Sequence, residues 1–161
     1  MKILFIQTGG TIDKDYPKTK GGWAFEFGEP ATERILSKLD PSFEYEIHTA
    51  SQKDSLEITE ADRQSLADLI NKEVADAYVV THGTDTMMDT AAFLSSRVDR
   101  KVVILTGAMR PERFSNSDAP INLGVAIGAA NLLDPGIYIA MHGILKSASE
   151  IQRNADNGKF Y

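Results

Sequence analysis

Five short apolar runs rich in β-branched residues, at 3–6, 45–49, 77–80, 102–105 and 137–141, recur along the chain with helical stretches between them. Strands that alternate with helices pair in parallel, because each crossover lays its helix on one face of the sheet. The nearly continuous apolar character of the runs agrees with burial on both sides. The pattern predicts an α/β fold of three layers, a doubly wound and mainly parallel sheet of the Rossmann or flavodoxin kind. At 161 residues the chain fits one such domain, spanning 1–161.

Helix signals support this frame. Thr59 precedes a segment with Leu66, Leu69, Ile70 and Val74 on one side, and Asp62 stands at the third position as a substitute for a capping-box glutamate. Pro120 suits a first helical turn, after Asp118 and Ala119. The small residues Gly124, Ala126, Gly128, Ala129 and Ala130 then predict close helix-sheet contact. Residues 13–30 form the one long irregular stretch, carrying Tyr16, Trp23, Phe25 and Phe27. It reads either as a lid over a site or as a surface hairpin whose Trp23, Phe25 and Phe27 alternate onto the core.

Two of the strands end in threonine-glycine turns, Thr8-Gly9-Gly10-Thr11-Ile12 and Thr81-His82-Gly83-Thr84-Asp85-Thr86. In open α/β sheets ligands bind beyond the carboxyl ends of the strands, so these turns are the first place to seek a site. The first matches neither a P-loop nor a dinucleotide fingerprint. Its glycines are equally explained by a tight turn. In the second, Thr84, Asp85 and Thr86 precede a helix at 87–97 and either cap its free amides or leave them to a substrate carboxylate, with Asp85 receiving an ammonium group. An α-amino acid carries both charges.

Composition excludes several classes of partner. A net charge of −6 without a basic cluster argues against nucleic acid. The chain has no cysteine, so thiolate chemistry and disulfides are absent and any nucleophile is an oxygen. The run at 3–6 is too short for a signal-peptide core, and nothing approaches the roughly 20 apolar residues of a membrane span. A cytoplasmic protein without membrane association is expected. His82, His48 and His142 lack carboxylates at metal-ligand spacing, so no metal and no organic cofactor are expected.

A third strand end, Thr106-Gly107-Ala108-Met109-Arg110-Pro111, and the later Asp118-Ala119-Pro120-Ile121-Asn122-Leu123 complete a pattern. With Thr-Gly-Gly-Thr-Ile, the Ala50-Ser51-Gln52 turn and Thr-His-Gly-Thr-Asp-Thr, the chain resembles the bacterial, threonine-nucleophile family of asparaginases and glutaminases. The motifs keep their order over about 120 residues. The resemblance implies an amidohydrolase acting on asparagine or a related small amide. Thr11 would be the nucleophile, forming an acyl-enzyme and releasing ammonia. Ser51 would hold the substrate α-carboxylate, with Gln52 and Gly83 beside it. Thr84 would belong to a second hydroxyl constellation, Asp85 would bind the α-amino group, and the Ala108 backbone would lie near the reacting amide.

The chain also departs from that family. A threonine hydroxyl needs an activating base. Alignment on Gly28 puts Phe25 where the family carries a loop tyrosine, which leaves Tyr16 as the candidate replacement. Arg153 stands where the family has a lysine, and a guanidinium can stabilise negative charge but not act as a base near neutral pH. Lys146 has the wrong spacing to supply the amine. The family's smaller carboxy-terminal domain is not represented, so an asparaginase N-terminal-like domain completing its site as a homodimer or homotetramer is expected. The alternative is a non-catalytic binding or sensor protein for aspartate-like amino acids.

Overall fold

The computed structural model describes residues 1–16 and 25–161. The elements are β1 (Lys2–Gly9), β2 (Lys14–Asp15), β3 (Glu26–Phe27), α1 (Ala31–Leu39), β4 (Glu44–Lys53), α2 (Glu60–Lys72), β5 (Ala77–Thr81), α3 (Met87–Ser95), β6 (Val102–Thr106), α4 (Ala119–Ala129), β7 (Gly136–Met141) and β8 (Ile144–Ser147). Among the described residues six strands form one sheet in the order β4-β1-β5-β6-β7-β8, parallel except for the β7-β8 hairpin. All five apolar runs are strands of this sheet, and the doubly wound α/β reading holds.

Side-chain alternation divides the core in two. Leu4, Ile6, Tyr78, Val80, Val103 and Leu105 pack against α2 and α3 on one face. Ile3, Phe5, Ala77, Val79 and Ile104 pack against α1 and α4 on the other. β1, β5 and β6 are thus covered on both sides, which is why their sequences lack a polar alternation. β4 departs from that expectation. It is an edge strand, largely exposed, whose backbone pairs with β1 alone.

Chain direction creates the functional end. β1 crosses to β4 on one side and the next strand, β5, lies on the other, so the strand order reverses at β1. The chain leaves the ends of β1 and β5 toward opposite faces of the sheet, the arrangement that opens a crevice at the strand ends of α/β folds. α2 starts as read: Thr59 and Asp62 form a reciprocal capping box. Lys53 also donates to both Asp62 carboxylate oxygens at 2.8 Å. That bond and the Thr59 amide hold the Asp62 carboxyl down at about 2.

Three expectations are corrected. The irregular stretch is an antiparallel hairpin at its base, pairing Lys14 with Phe27 and Asp15 with Glu26. Phe25 does not enter the core. It is 42% exposed and packs on Tyr16 and Phe114, while Trp23 lies outside the described residues. The helix after β5 begins at Met87 with no side-chain cap, because the Thr86 hydroxyl instead donates to the Ser55 carbonyl at 2.6 Å. Finally, α4 meets the sheet through Asn122, Leu123, Ala126 and Ala130, whereas Gly124 and Gly128 face outward with open space around them.

Gly124 is therefore a propensity defect rather than a packing device. Gly124→Ala is expected to raise stability by about 0.4–1 kcal/mol, since nothing obstructs the new methyl and the unfolded chain loses freedom. Chemical denaturation of the two proteins measures the difference, and a destabilised variant would contradict the assignment.

Candidate active site

The crevice is built by turns that touch one another. Gly9 and Gly10 both hold positive φ, at 107° and 82°. A Cβ on Gly9 would overlap the Lys53 backbone at the end of β4, and one on Gly10 would overlap the backbone of Gly83 after β5. A Cβ on Gly83 would in turn strike Ser55 at 2.6 Å. Glycine is required at Gly10 both for its dihedral and for this close approach. The turn then tightens into a single 3-10 turn, Thr11–Asp13, in which Thr11 is half-buried and Ile12 is buried.

Hydroxyls stitch the strand ends beneath the turns. Thr8 donates to the Thr81 carbonyl at 2.8 Å, and Thr106 donates to the Ala140 carbonyl at 2.8 Å. These threonines satisfy backbone carbonyls, a role that neither Thr11 nor Thr84 takes among the described residues. Ser51 donates to the Thr8 carbonyl at 2.9 Å and Gln52 donates to the Gly28 carbonyl at 3.0 Å. Both therefore lie against the root of the first turn. Ala108 is buried beside Gly107, whose carbonyl accepts from Asn122 at 3.0 Å.

Arg153 reaches the second turn from the far end of the chain. Its Nη1 donates to the Thr84 carbonyl at 3.1 Å and to the Asp85 carboxylate at 3.0 Å. The segment that carries it is fastened by the Phe160 amide, which donates to His142 Nδ1 at 3.1 Å, and the His142 amide donates to Asn122 Oδ1 at 3.0 Å. Thr84, Asp85 and Arg153 thus come together. Tyr16 does not join them: it is 64% exposed, its ring stacks on Phe114 at 5.9 Å, and it contacts Phe25 at 5.4 Å.

His82 is a structural histidine. Burial pushes its pKa down to about 4, so it is neutral at pH 7. Its Nδ1 donates to the Gly83 carbonyl at 2.8 Å, and its Nε2 accepts from Thr90, whose oxygen takes the Arg63 Nε hydrogen at 2.9 Å. The ring therefore fixes the path of the Gly83 turn. Among the described residues no group of three or more acidic or histidine side chains is placed to hold a metal ion, and no helix is long and apolar enough to cross a membrane.

Two site residues escaped the sequence reading. Asp13 is 1% exposed and accepts from the Ala31 amide at 2.7 Å. Gln7, equally buried, hydrogen-bonds Asp13 and accepts from Thr49 at 2.9 Å and Gln52 at 3.4 Å. The signal for Gln7 was a polar residue inside an apolar strand. For Asp13 it was a carboxylate directly after a glycine turn.

The sequence model of the family described as asparaginase, N-terminal, matches residues 2–158. The glutaminase-asparaginase of Acinetobacter glutaminasificans is 28% identical over 162 residues, which cover 94% of this chain and 49% of that protein. The L-asparaginase of Thermococcus kodakarensis is 32% identical over 145 residues, 87% of this chain and 44% of its own length. A solved structure of the thermostable L-asparaginase from that organism superposes with a TM-score of 0.81 at 31% identity, covering 95% of this chain and 48% of that one. The chain spans about half the length, or less, of these proteins.

Burial raises the Asp13 carboxyl to about 6 from an ordinary 3.8, against the opposing hydrogen bonds from Ala31 and Gln7. The folded state thus binds this proton more tightly than the unfolded state. The associated stability is complete below about pH 4 and is lost as pH rises through about 6. Relative to Asp13→Asn, the native protein should lose on the order of 3 kcal/mol between about pH 4 and pH 7. Paired denaturation curves across that range check it, and a constant difference would contradict it.

Proposed function

The chain belongs to the asparaginase family, matching its N-terminal part, and on that premise we propose that it carries the reacting site of an amidohydrolase that cleaves the side-chain amide of asparagine or a related small amide. The observation that supports this reading is the packing of the motif turns around one crevice. Gly10 lies on Gly83, Gly83 lies on Ser55, Ser51 is bonded to Thr8, and Arg153 is bonded to Thr84 and Asp85.

In this reading the Thr11 oxygen attacks the amide carbon, the C–N bond breaks, and the leaving nitrogen takes a proton to depart as ammonia. Water then cleaves the Thr11 ester and restores the hydroxyl. Ser51 and Gln52, turning from the Thr8 and Gly28 carbonyls that they bond in the free protein, take the ligand carboxylate with the Gly83 backbone, and Asp85 takes its ammonium. The Ala108 backbone lies near the amide oxygen. Arg153 supplies fixed positive charge beside Thr84 and Asp85. Tyr16 is the proton acceptor for Thr11, which requires the β2-β3 hairpin to carry its ring inward from Phe114 when ligand binds.

A second reading is favoured by one contact. The group that faces Asp85 and the Thr84 carbonyl is the Arg153 guanidinium, which cannot act as a base near neutral pH, so the protein would hold an aspartate-like amino acid without hydrolysing an amide. Ammonia release from asparagine, glutamine and related amides separates the two. Turnover that falls by at least about 10³-fold in Thr11→Ala supports the first reading. No turnover in the native protein, together with calorimetric binding of aspartate that Asp85→Ala abolishes, supports the second.

The same site is proposed to be completed by self-association, as a homodimer or homotetramer. Ile121 and Leu132 are 66% and 80% exposed at and beyond α4, an apolar surface on a helix without a charged residue. Light scattering at micromolar concentration should report a multiple of 17.7 kDa, and a mass of 17.7 kDa would remove the proposal.

A further inference from the structure

Asp13 is a buried ionisable group that the proposed reaction does not use, and it ends the 3-10 turn that begins at Thr11. Each of its polar groups is engaged. Its amide donates to the Gly10 carbonyl at 3.2 Å, and its carbonyl accepts from the Gly28 amide at 3.0 Å. One carboxylate oxygen accepts from the Ala31 amide at the first turn of α1, and the other accepts from the Thr81 hydroxyl at 3.5 Å at the end of β5. Ile12, between the two residues, accepts from the Glu112 amide at 3.1 Å. The turn is thus anchored through Gly10, Ile12 and Asp13, and among the described residues the Thr11 side chain takes no part in that anchoring.

We infer that Asp13 is a positioning residue for Thr11, its carboxylate clamping the turn between β5 and α1 so that the hydroxyl is held at one height over the crevice. The inference rests on the reading of Thr11 as the attacking group. Misplacing a reacting atom by about 1 Å can cost about 10²-fold in rate, so a clamp two residues away is of catalytic consequence.

The clamp needs an acceptor, because the Ala31 amide, Thr81 and Gln7 all donate to it. Protonating the carboxyl puts a hydrogen among donors and weakens it. Burial raises that carboxyl to about 6, so its state changes near neutral pH. Among the described residues the charged groups around it are few. Arg34 from α1 favours ionisation and is itself paired with Glu112 of the β6-α4 loop. Lys14 and Asp15 on its own hairpin are paired with Asp54 and Arg113. His82, beyond β5, is buried and neutral.

The test compares native protein, Asp13→Asn and Thr81→Val in ammonia release between about pH 5 and pH 8. For the native protein kcat should fall toward tenfold per pH unit below about 6, with KM unmoved. Asp13→Asn should lower kcat by about 10²-fold and lose that acid limb, while Thr81→Val should lower kcat and keep it. An unchanged kcat and acid limb in Asp13→Asn would overturn the inference and leave the amidohydrolase reading standing. If the native protein shows no turnover, that reading fails, and amide exchange at residues 10–13 and 31 decides the clamp instead. Protection at those amides that is lower in Asp13→Asn than in native protein at about pH 7.5, with distant amides unchanged, supports it. Identical profiles overturn it.

Discussion

The absence of any side chain at Gly9, Gly10 and Gly83 is the constraint on which the rest of the crevice depends. Three backbone segments from three strands meet there closer than a Cβ permits. Because β1 lies between β4 and β5, its following turn must pass the end of one neighbour and rest on the loop of the other. A larger residue at Gly10 would lift the turn off Gly83, and with it Thr11. The glycines therefore contribute geometry rather than chemistry, and the hydroxyl at position 11 gains its place from what position 10 lacks.

Such close packing buries polar groups, and the molecule answers by making most of them partners. Gln7 links Asp13 to Thr49 and Gln52, and Asn122 links Gly107 and Asp118 to the His142 amide. Among the described residues no buried side-chain nitrogen or oxygen lacks a hydrogen-bond partner. A satisfied network of this kind favours a single arrangement, since each displacement strands a donor or acceptor away from water. Glu112 shows the same logic at the rim. Burial opposes its ionisation, but Arg34 and Lys38 outweigh that cost and hold its carboxyl below the usual range.

Legibility in the sequence followed the range of the interaction that fixes each feature. The strands and the Thr59 cap were readable because apolar runs and capping boxes are local. β8 was not, because four residues including Lys146 carry little pattern, and its hairpin turns through His142 at positive φ rather than through the glycine alone. The outward face of Gly124 and Gly128 depends on how α4 rotates against the sheet, which small residues on every side of the helix leave undetermined. Thr11, Ser51, Thr84 and Asp85 were singled out through motif order. Asp13 was missed because its burial is made jointly by β1, β5 and α1, segments remote from one another in sequence. Arg153 was located only by resemblance, and its pairing with Asp85 spans 68 residues.

That last pairing bears on what the crevice can hold. Arg153 engages one oxygen of Asp85 and the Thr84 carbonyl through a single nitrogen, so the guanidinium sits at the edge of the second turn. A carboxylate has further lone pairs to offer, and Asp85 is half exposed, where water screens the ion pair to a fraction of its strength in a dry site. An incoming ammonium would thus share Asp85 with Arg153 rather than displace it. The same guanidinium offers remaining N–H groups to an anionic ligand. A zwitterion can satisfy both charges at once, whereas a simple amine meets Arg153 as a like charge. On the proposed reading of the site, the arrangement would favour a ligand that brings its own carboxylate.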